Sequence, residues 1–262
     1  MTPSLNQAAF LERTIRSVLD QDYPELEYLV FDGGSTDGSV EILRRYGDRI
    51  AYWESVPDRG QSHAVNKGFE RAMGEIVGWI NSDDYYMPGA LATAAAAFEA
   101  NRGAEWVCGA CRYLNADGSL DAIRRPHLPR GPRAAWAFEP WYVPQASSFW
   151  HRAALDRVGG LREDLHYAMD AEFGLRLALS GVLPIVVEKE LAVRAHHELA
   201  KSQDPSRWAH EYARIRAELG ARFTASERLA GFCFRAAQRL QAYARELGAP
   251  AIGSTSSSRS SG

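Results

Sequence analysis

Residues 26–43 read LEYLVFDGGSTDGSVEIL. The compact apolar run LEYLVFD (26–32) predicts a buried strand that ends on an acid. GGSTDGS then makes a turn, and Ser39–Tyr46 reads as a short helix. Upstream, residues 7–21 predict a helix with Ala8, Leu11, Ile15, Val18 and Leu19 on one face, and Asn6 as its N-cap. Downstream come a strand at IAYWES (50–55), a helix over 61–73, a strand at EIVGWIN (75–81) that again ends before acids, and an alanine-rich helix over 88–101. This β-α-β-α-β order predicts an α/β domain whose parallel sheet is flanked by helices. Only Met1 and Thr2 precede Pro3, so the strand that should come before the first helix is expected to be missing or truncated.

After residue 104 the pattern changes. EWVCGACRYLN and DGSLDAIRR flank Asp117-Gly118, a hairpin signal. RPHLPRGPRAAWAFEPWYVPQ (125–145) has no period and reads as an ordered loop over a site. SSFWH (147–151) predicts a strand, 152–158 and 170–180 helices, and VLPIVVEKE (182–190) another strand. Two amphipathic helices broken near Gly220 fill 205–247. The expected organisation is a catalytic domain over 1–204, a helical tail over 205–248 and a disordered, serine-rich tail over 249–262.

The 262 residues are 46% hydrophobic with a net charge of −3, which suits a packed domain and gives no reason to expect a nucleic-acid partner. From Arg207 onward there are nine Arg against four Glu, so the acidic excess lies in the first 206 residues. No apolar run reaches transmembrane length, and MTPSLNQAAF lacks the marks of a signal peptide. Three cysteines are too few for a disulfide scaffold, and a reducing, cytoplasmic setting is expected. Cys108 and Cys111 form a CxxC with no second ligand pair and no helix start, so they read as structural.

The chemistry lies in acids at predicted strand ends, where ligands of open α/β sheets bind. Asp32 ends one strand, beside Gly33 and Gly34. Asp83 and Asp84, in WINSDDYYMPG, end another, and adjacent carboxylates at a turn suit Mg²⁺ or Mn²⁺ completed by phosphate oxygens and water. The competing reading of each acid is a helix cap.

Four segments, TPSLNQ with the following FLERTIRSVLDQDYPELEYLVFDGGSTDGSVEIL, then ESVPDRGQSHAVNKGF, GEIVGWINSDDYYMPGAL and YAMDAEFGLRLALSG, together resemble glycosyltransferase family 2 in order and spacing. The resemblance spans roughly residues 2–203. It implies a GT-A fold with a mostly parallel sheet, a C-terminal helical tail, and inverting transfer from a nucleotide-sugar donor, most simply a UDP-sugar. It implies that Pro3 and Ser4 lie near the nucleoside, that Asp32 contacts the base, and that Gly33, Arg59, Gln61, Asn81 and Asp83 serve the donor. Asp84 then corresponds to the metal-binding acid, with His196 as a further ligand and His197 as the alternative. Asp170 corresponds to the catalytic base, although Met169 stands where the family has an acid, and Glu172 follows it. Lys201 is placed to meet a phosphate. His63 replaces a usual Asp and either alters donor contacts or caps the next helix.

Gln145 and Trp141 are implied on the acceptor side. Trp136 and Tyr142, in the same irregular region, either stack on sugar or seal the core. The implied acceptor is a glycan or lipid-linked chain of cell-surface polysaccharide. The basic tail would then touch the inner membrane face, pack on the catalytic domain or form a homodimer. Two rival functions remain at this point. A sugar nucleotidyltransferase would need a glycine-rich triphosphate loop that TPSLNQ does not supply; a non-catalytic nucleotide-sugar binder would explain a missing first strand.

Overall fold

The computed structural model describes residues 1–128, 142–197 and 205–246. The chain divides into two compact units. The first contains Met1–Leu128 and runs on from Trp141 to Ile215; the second includes the chain from Arg216 onward.

A first strand of three residues is present, where the sequence led to the expectation of one missing or truncated. β1 (Thr2–Ser4) pairs in parallel with β2 (Leu29–Asp32), which pairs in parallel with β3 (Tyr52–Ser55). All four β2 residues are buried: Leu29, Val30 and Phe31 as an apolar run requires, and Asp32 at its end. Between β1 and β2 lies α1 (Ala8–Leu19), which buries Leu11, Thr14, Ile15 and Val18. That spacing is one face of a 3.6-residue helix. Each of its buried aliphatic side chains contributes roughly 1.5–3 kcal/mol.

The cap of α1 differs from expectation. Gln7 occupies the N-cap position without a side-chain bond. Instead, Asp37 Oδ2 accepts from Ala8 N at 2.8 Å and Ser39 Oγ from Gln7 N at 3.2 Å. Asn6 takes φ 52° and its Oδ1 accepts from Thr36 N at 2.9 Å. The GGSTDGS loop therefore caps the helix from outside, a long-range partner that local sequence rules do not reveal.

Two helices, α2 (Ser39–Tyr46) and α3 (Gln61–Arg71), follow β2 and β3. The predicted strand over 75–81 shortens to β4 (Ile76–Val77), which pairs antiparallel with β8 (Ser148–His151). Beyond β4, Met1 N donates to Gly78 O and Ile80 N to Met1 O, which links the chain start to this segment. A second sheet runs β4-β8-β6-β9-β5, with β6 (Trp106–Leu114) central, β9 (Ile185–Ala195) parallel to it, and β5 (Tyr85–Tyr86) at the far edge. β7 (Leu120–Arg124) folds back on β6 around Asp117-Gly118, as the hairpin signal predicted. The parallel order thus holds in the first sheet, whereas the second is mixed.

At the β6–β9 register shift, a Cβ on Gly109 would lie 2.6 Å from the Lys189 carbonyl oxygen, so only glycine fits there. α4 (Ala90–Ala100), α5 (Arg152–Val158) and α6 (Met169–Ser180) complete the described helices of the first unit, together with the first part of α7 (Pro205–Gly220). Trp79 and Trp150 stack at 4.8 Å, and Trp106, Phe69 and Phe173 pack around them. This aromatic cluster supports the strand ends that carry the acids. α8 (Ala225–Glu246) lies in the second unit.

Candidate active site

A cavity of about 740 Å³ opens at the ends of β1 and β9 and the start of α6. Its lining includes Pro3, Ser4, Gln61, Asn81, Asp83, Asp84, Gln145 and Asp170. Eight of the residues picked out in the sequence therefore meet at one place, although they are spread over 168 positions of the chain.

Asp84 sits at the inner wall and is 3% exposed. Burial, then the neighbouring Asp83, push its carboxyl pKa well above the usual range, while Arg194, Asn81 and Arg13 oppose the rise. A hydrogen-bonded chain orients it. Gln61 Nε2 donates to Asn81 Oδ1 at 2.8 Å, and Asn81 Nδ2 donates to Asp84 Oδ2 at 3.3 Å and to Gln145 Oε1 at 3.5 Å. Gln145 Nε2 in turn donates to Trp79 O at 2.6 Å. The acid loop is also tied to α1. Buried Thr14 Oγ1 lies 2.6 Å from Asp84 O and 2.9 Å from Ser82 O. Thr14→Val keeps the shape and strips both carbonyls of their donor. It is expected to cost about 1–3 kcal/mol, read as a lower Tm.

Asp83 Oδ2 lies 2.9 Å from His197 Nε2, and the His197 ring packs on Phe10. His196 is placed elsewhere: its N–H bonds Leu114 O and its ring faces Tyr113, so His197, not His196, meets the acid pair. The cause is strand alternation. Adjacent residues leaving β9 point to opposite sides.

Among the described residues no group of three His, Cys, Asp or Glu side chains forms a complete metal cage. The donor set nevertheless fits a hard divalent cation: a buried carboxylate beside a second carboxylate, with few hydrogen-bond donors on it. Asp84 would hold the ion, with Asp83 and His197 beside it, and oxygens of a bound diphosphate and water would complete the shell.

Arg194, on β9, was not singled out by sequence. It lines the cavity, its Nη1 donates to Tyr113 Oη at 3.4 Å, and its guanidinium lies over the Tyr113 ring. Burial works against its charge, but Tyr113, Asp84 and Asp170 outweigh this and raise its pKa. One buried cation therefore feels both key carboxylates. Asp58 is a second lining residue that sequence reasoning passed over. It accepts from Gly60 N at 2.7 Å and packs closely against Gly33. Its neighbour Arg59 was the expected donor ligand. Arg59 points outward instead and pairs with Glu163 at 2.7 Å and 3.0 Å. His63 Nδ1 accepts from Arg59 N, so it braces this turn.

Asp32 does not line the cavity. It is fully buried, and its oxygens accept from Gly34 N, Ser35 N, Ser35 Oγ and Ser55 Oγ at 2.5–3.1 Å. A carboxylate so bonded fixes the glycine loop. Gly33 does not line the cavity either, and its N–H donates to Ser4 O at 2.8 Å. Ser4 Oγ and Gln7 Oε1 behave differently: both border the cavity, buried and without a hydrogen-bond partner among the described residues. Unsatisfied polar atoms at a cavity wall mark where a ligand completes the bonding.

Asp170 lies in the first turn of α6 but does not cap it, because Ala168 is the N-cap. The carboxylate is open to the cavity yet surrounded by protein. That desolvation raises its pKa, against the Ala171 N–H and the Arg194 charge. Glu172 is divided from it in function. It is 4% exposed and bound to Arg176 at 2.8–3.3 Å, a structural pair one helix turn long. Cys108 and Cys111 are free and buried, and burial pushes both thiols up to about 12, which makes them inert. Tyr142 lines the cavity with its hydroxyl 2.5 Å from that of Tyr113. Trp136, Trp141 and Lys201 lie outside the described residues.

An uncharacterized glycosyltransferase of Mycobacterium tuberculosis is 34% identical over 183 residues, 68% of each chain. Among solved structures, S. aureus TarS 1–349 in complex with UDP-GlcNAc superposes with a TM-score of 0.64 at 21% identity, over 82% of this chain and 64% of that one. Mannosyltransferase PcManGT from Pyrobaculum calidifontis, in complex with GDP-Man and Mn²⁺, gives 0.59 at 21% identity, over 94% and 79%. Both likenesses bear on the fold, which is GT-A. Residues 1–158 match the model of Glycosyl transferase family 2, and the chain belongs to that family of glycosyltransferases.

Proposed function

We infer that the protein is an inverting transferase that moves a sugar from a nucleoside diphosphate, most simply UDP, to a hydroxyl of a glycan or lipid-linked acceptor. The single observation that carries this reading is the meeting of Asp84 and Asp170 in one 740 Å³ cavity, a size suited to a nucleotide sugar. Solved relatives of the same fold hold UDP-GlcNAc, or GDP-Man with Mn²⁺, which supports the donor class.

In this reading the nucleoside sits along Pro3, Ser4 and Gln7, where Ser4 Oγ and Gln7 Oε1 await partners. Asp58 and Gln61 close the donor's other side. A bound Mg²⁺ or Mn²⁺ would supply positive charge against the leaving diphosphate. Asp83 and Asp84 hold that end of the site, and Arg194 adds a fixed cation as negative charge develops. Asp170 takes the proton from the acceptor hydroxyl as its oxygen attacks the anomeric carbon. A single displacement of this kind inverts the configuration.

The acceptor approaches past Gln145 and Tyr142. Trp208 and Tyr212, stacked at 4.6 Å on α7, also line the cavity, and Trp208 is 42% exposed. Flat aromatic faces of this kind suit a sugar ring. No helix among the described residues is long and apolar enough to cross a membrane. Exposed Leu229 and Phe232 beside Arg228 on α8 support peripheral contact with an anionic membrane face, as a cytoplasmic enzyme with lipid-linked acceptors would need.

The test is a screen of nucleotide sugars with Mn²⁺, read as thermal stabilisation and release of nucleoside diphosphate. Metal-dependent turnover of one donor supports the reading. Release of pyrophosphate from a nucleoside triphosphate would favour a nucleotidyltransferase. Stabilisation without turnover would favour a non-catalytic binder.

A further inference from the structure

The family match ends at residue 158, before Asp170 and before α7. What holds the Asp170 segment is visible in the structure. Glu211 reaches from α7 to the backbone just ahead of α6: its Oε1 accepts from His166 N at 2.9 Å, and its Oε2 from Tyr167 N at 2.7 Å and Ala168 N at 2.9 Å. Ala168 is the N-cap of α6, and Asp170 follows two residues later. The first N–H groups of a helix have no partners within it. No side chain of α6's own N-cap bonds them. Of the three amides that Glu211 holds, only that of Ala168 belongs to the helix start; those of His166 and Tyr167 lie in the approach to it. Burial raises the pKa of Glu211, but the three donors outweigh it and hold the carboxyl below the usual range.

Two of these three residues line the site, and the third leads directly into it. His166 and Tyr167 line the cavity with Met169, Asp170 and Ala171. Further contacts join α7 to this segment: Arg207 Nη1 donates to Tyr167 Oη at 2.8 Å, and Arg214 Nη2 donates to Asp164 Oδ2 at 2.9 Å and to Asp164 O at 3.2 Å. Neither arginine touches the amides.

We propose that Glu211 is a positioning residue for the transfer reaction: it fixes the His166–Ala168 backbone, and through it the placement of Asp170 against the acceptor hydroxyl. This rests on the reading of Asp170 as the base. It makes α7 part of the catalytic apparatus and not an appendage. Glu211 acts through Asp170 and need not touch either substrate. A misplacement of about 1 Å at a reacting group costs on the order of 10²-fold in rate.

The experiment compares wild type, Glu211→Gln, Glu211→Ala, Arg214→Ala and Asp170→Asn by two readouts. One is hydrogen exchange of the amides of residues 166–168, with UDP and Mn²⁺ stabilisation as a fold check. The other is steady-state turnover of UDP-GlcNAc or UDP-glucose, whichever wild type consumes faster. In Glu211→Ala those amides should exchange at least about tenfold faster, as expected when a local bonding partner is lost. Its kcat should fall on the order of 10²-fold with the donor KM nearly unchanged. Glu211→Gln keeps one carbonyl acceptor of the same reach and should fall between Ala and wild type. Arg214→Ala should stay within about twofold of wild type, as befits an exposed ion pair.

Faster exchange with unchanged kcat would overturn the proposal. So would unchanged exchange, or an equal loss of kcat in Arg214→Ala, which would make the effect one of general docking. If Glu211→Ala does not fold, Glu211→Gln decides by the same readouts. Full activity in Asp170→Asn would instead sink the reading of the base, a failure distinct from that of Glu211.

Discussion

Asp170→Asn is expected to bind nucleotide and metal like wild type while turnover falls by about 10³-fold, within the range of general base catalysis. The amide keeps the shape and one acceptor for the Ala171 N–H, so the start of α6 stays in place. What it loses is the ability to take a proton. The pH dependence follows from the same surroundings. Desolvation raises the Asp170 pKa, so the acid limb of kcat should lie above the ordinary carboxylate range. Only the ionised form acts as base, and turnover therefore falls as pH drops through that pKa. The sign for stability is opposite. A carboxyl whose folded pKa is raised favours the protonated fold, and this contribution is lost as pH rises through the folded value. At neutral pH Asp170→Asn should be at least as stable as wild type. A lower Tm with parallel loss of nucleotide binding would show a structural residue.

Asp84→Asn should lose the metal response. Wild type is expected to gain thermal stability when Mn²⁺ is added with UDP, since a ligand that binds only the folded state stabilises it by mass action. The variant should show little of this gain, and its turnover should fall by about 10³-fold, the scale of several kcal/mol of charge stabilisation by a metal. Asn keeps a carbonyl oxygen and the bonding frame of Asn81, Gln61 and Gln145, so the cavity wall should persist. Because Asp84 is a buried acid beside Asp83, removing its charge should not destabilise the metal-free protein. Titration calorimetry with Mn²⁺ and UDP separates the two arms. Metal affinity equal to wild type would move the metal away from Asp84.

Much of the frame was legible. Apolar runs ending on acids placed Asp84 at a sheet edge, and the resemblance of YAMDAEFGLRLALSG to the family's motif singled out Asp170. These signals are local and strong. What escaped reading depends on which way a side chain turns. Asp32 and Asp84 look alike in sequence, each following a buried strand; the serines at 35 and 55 consume the first, while α1 and the asparagine–glutamine chain leave the second facing the cavity. Arg59 looked available until Glu163, over a hundred positions away, claimed it. His196 and His197 differ by one step of strand alternation. Arg194 stands two residues before His196, and attention went to the histidine. Glu211 had none, because its partners are backbone amides in another segment. The three-residue β1 was too short for any periodic signal and is defined by its pairing with β2.

The central claim is spatial, and a crystal structure of Asp170→Asn soaked with UDP-sugar and Mn²⁺ tests it most directly, since the donor should survive intact. The account predicts the diphosphate and metal beside Asp84, the nucleoside along Ser4 and Gln7, and residue 170 facing the anomeric carbon from the side opposite the leaving group. Donor density lying away from Asp84, or residue 170 on the same side as the diphosphate, would contradict it.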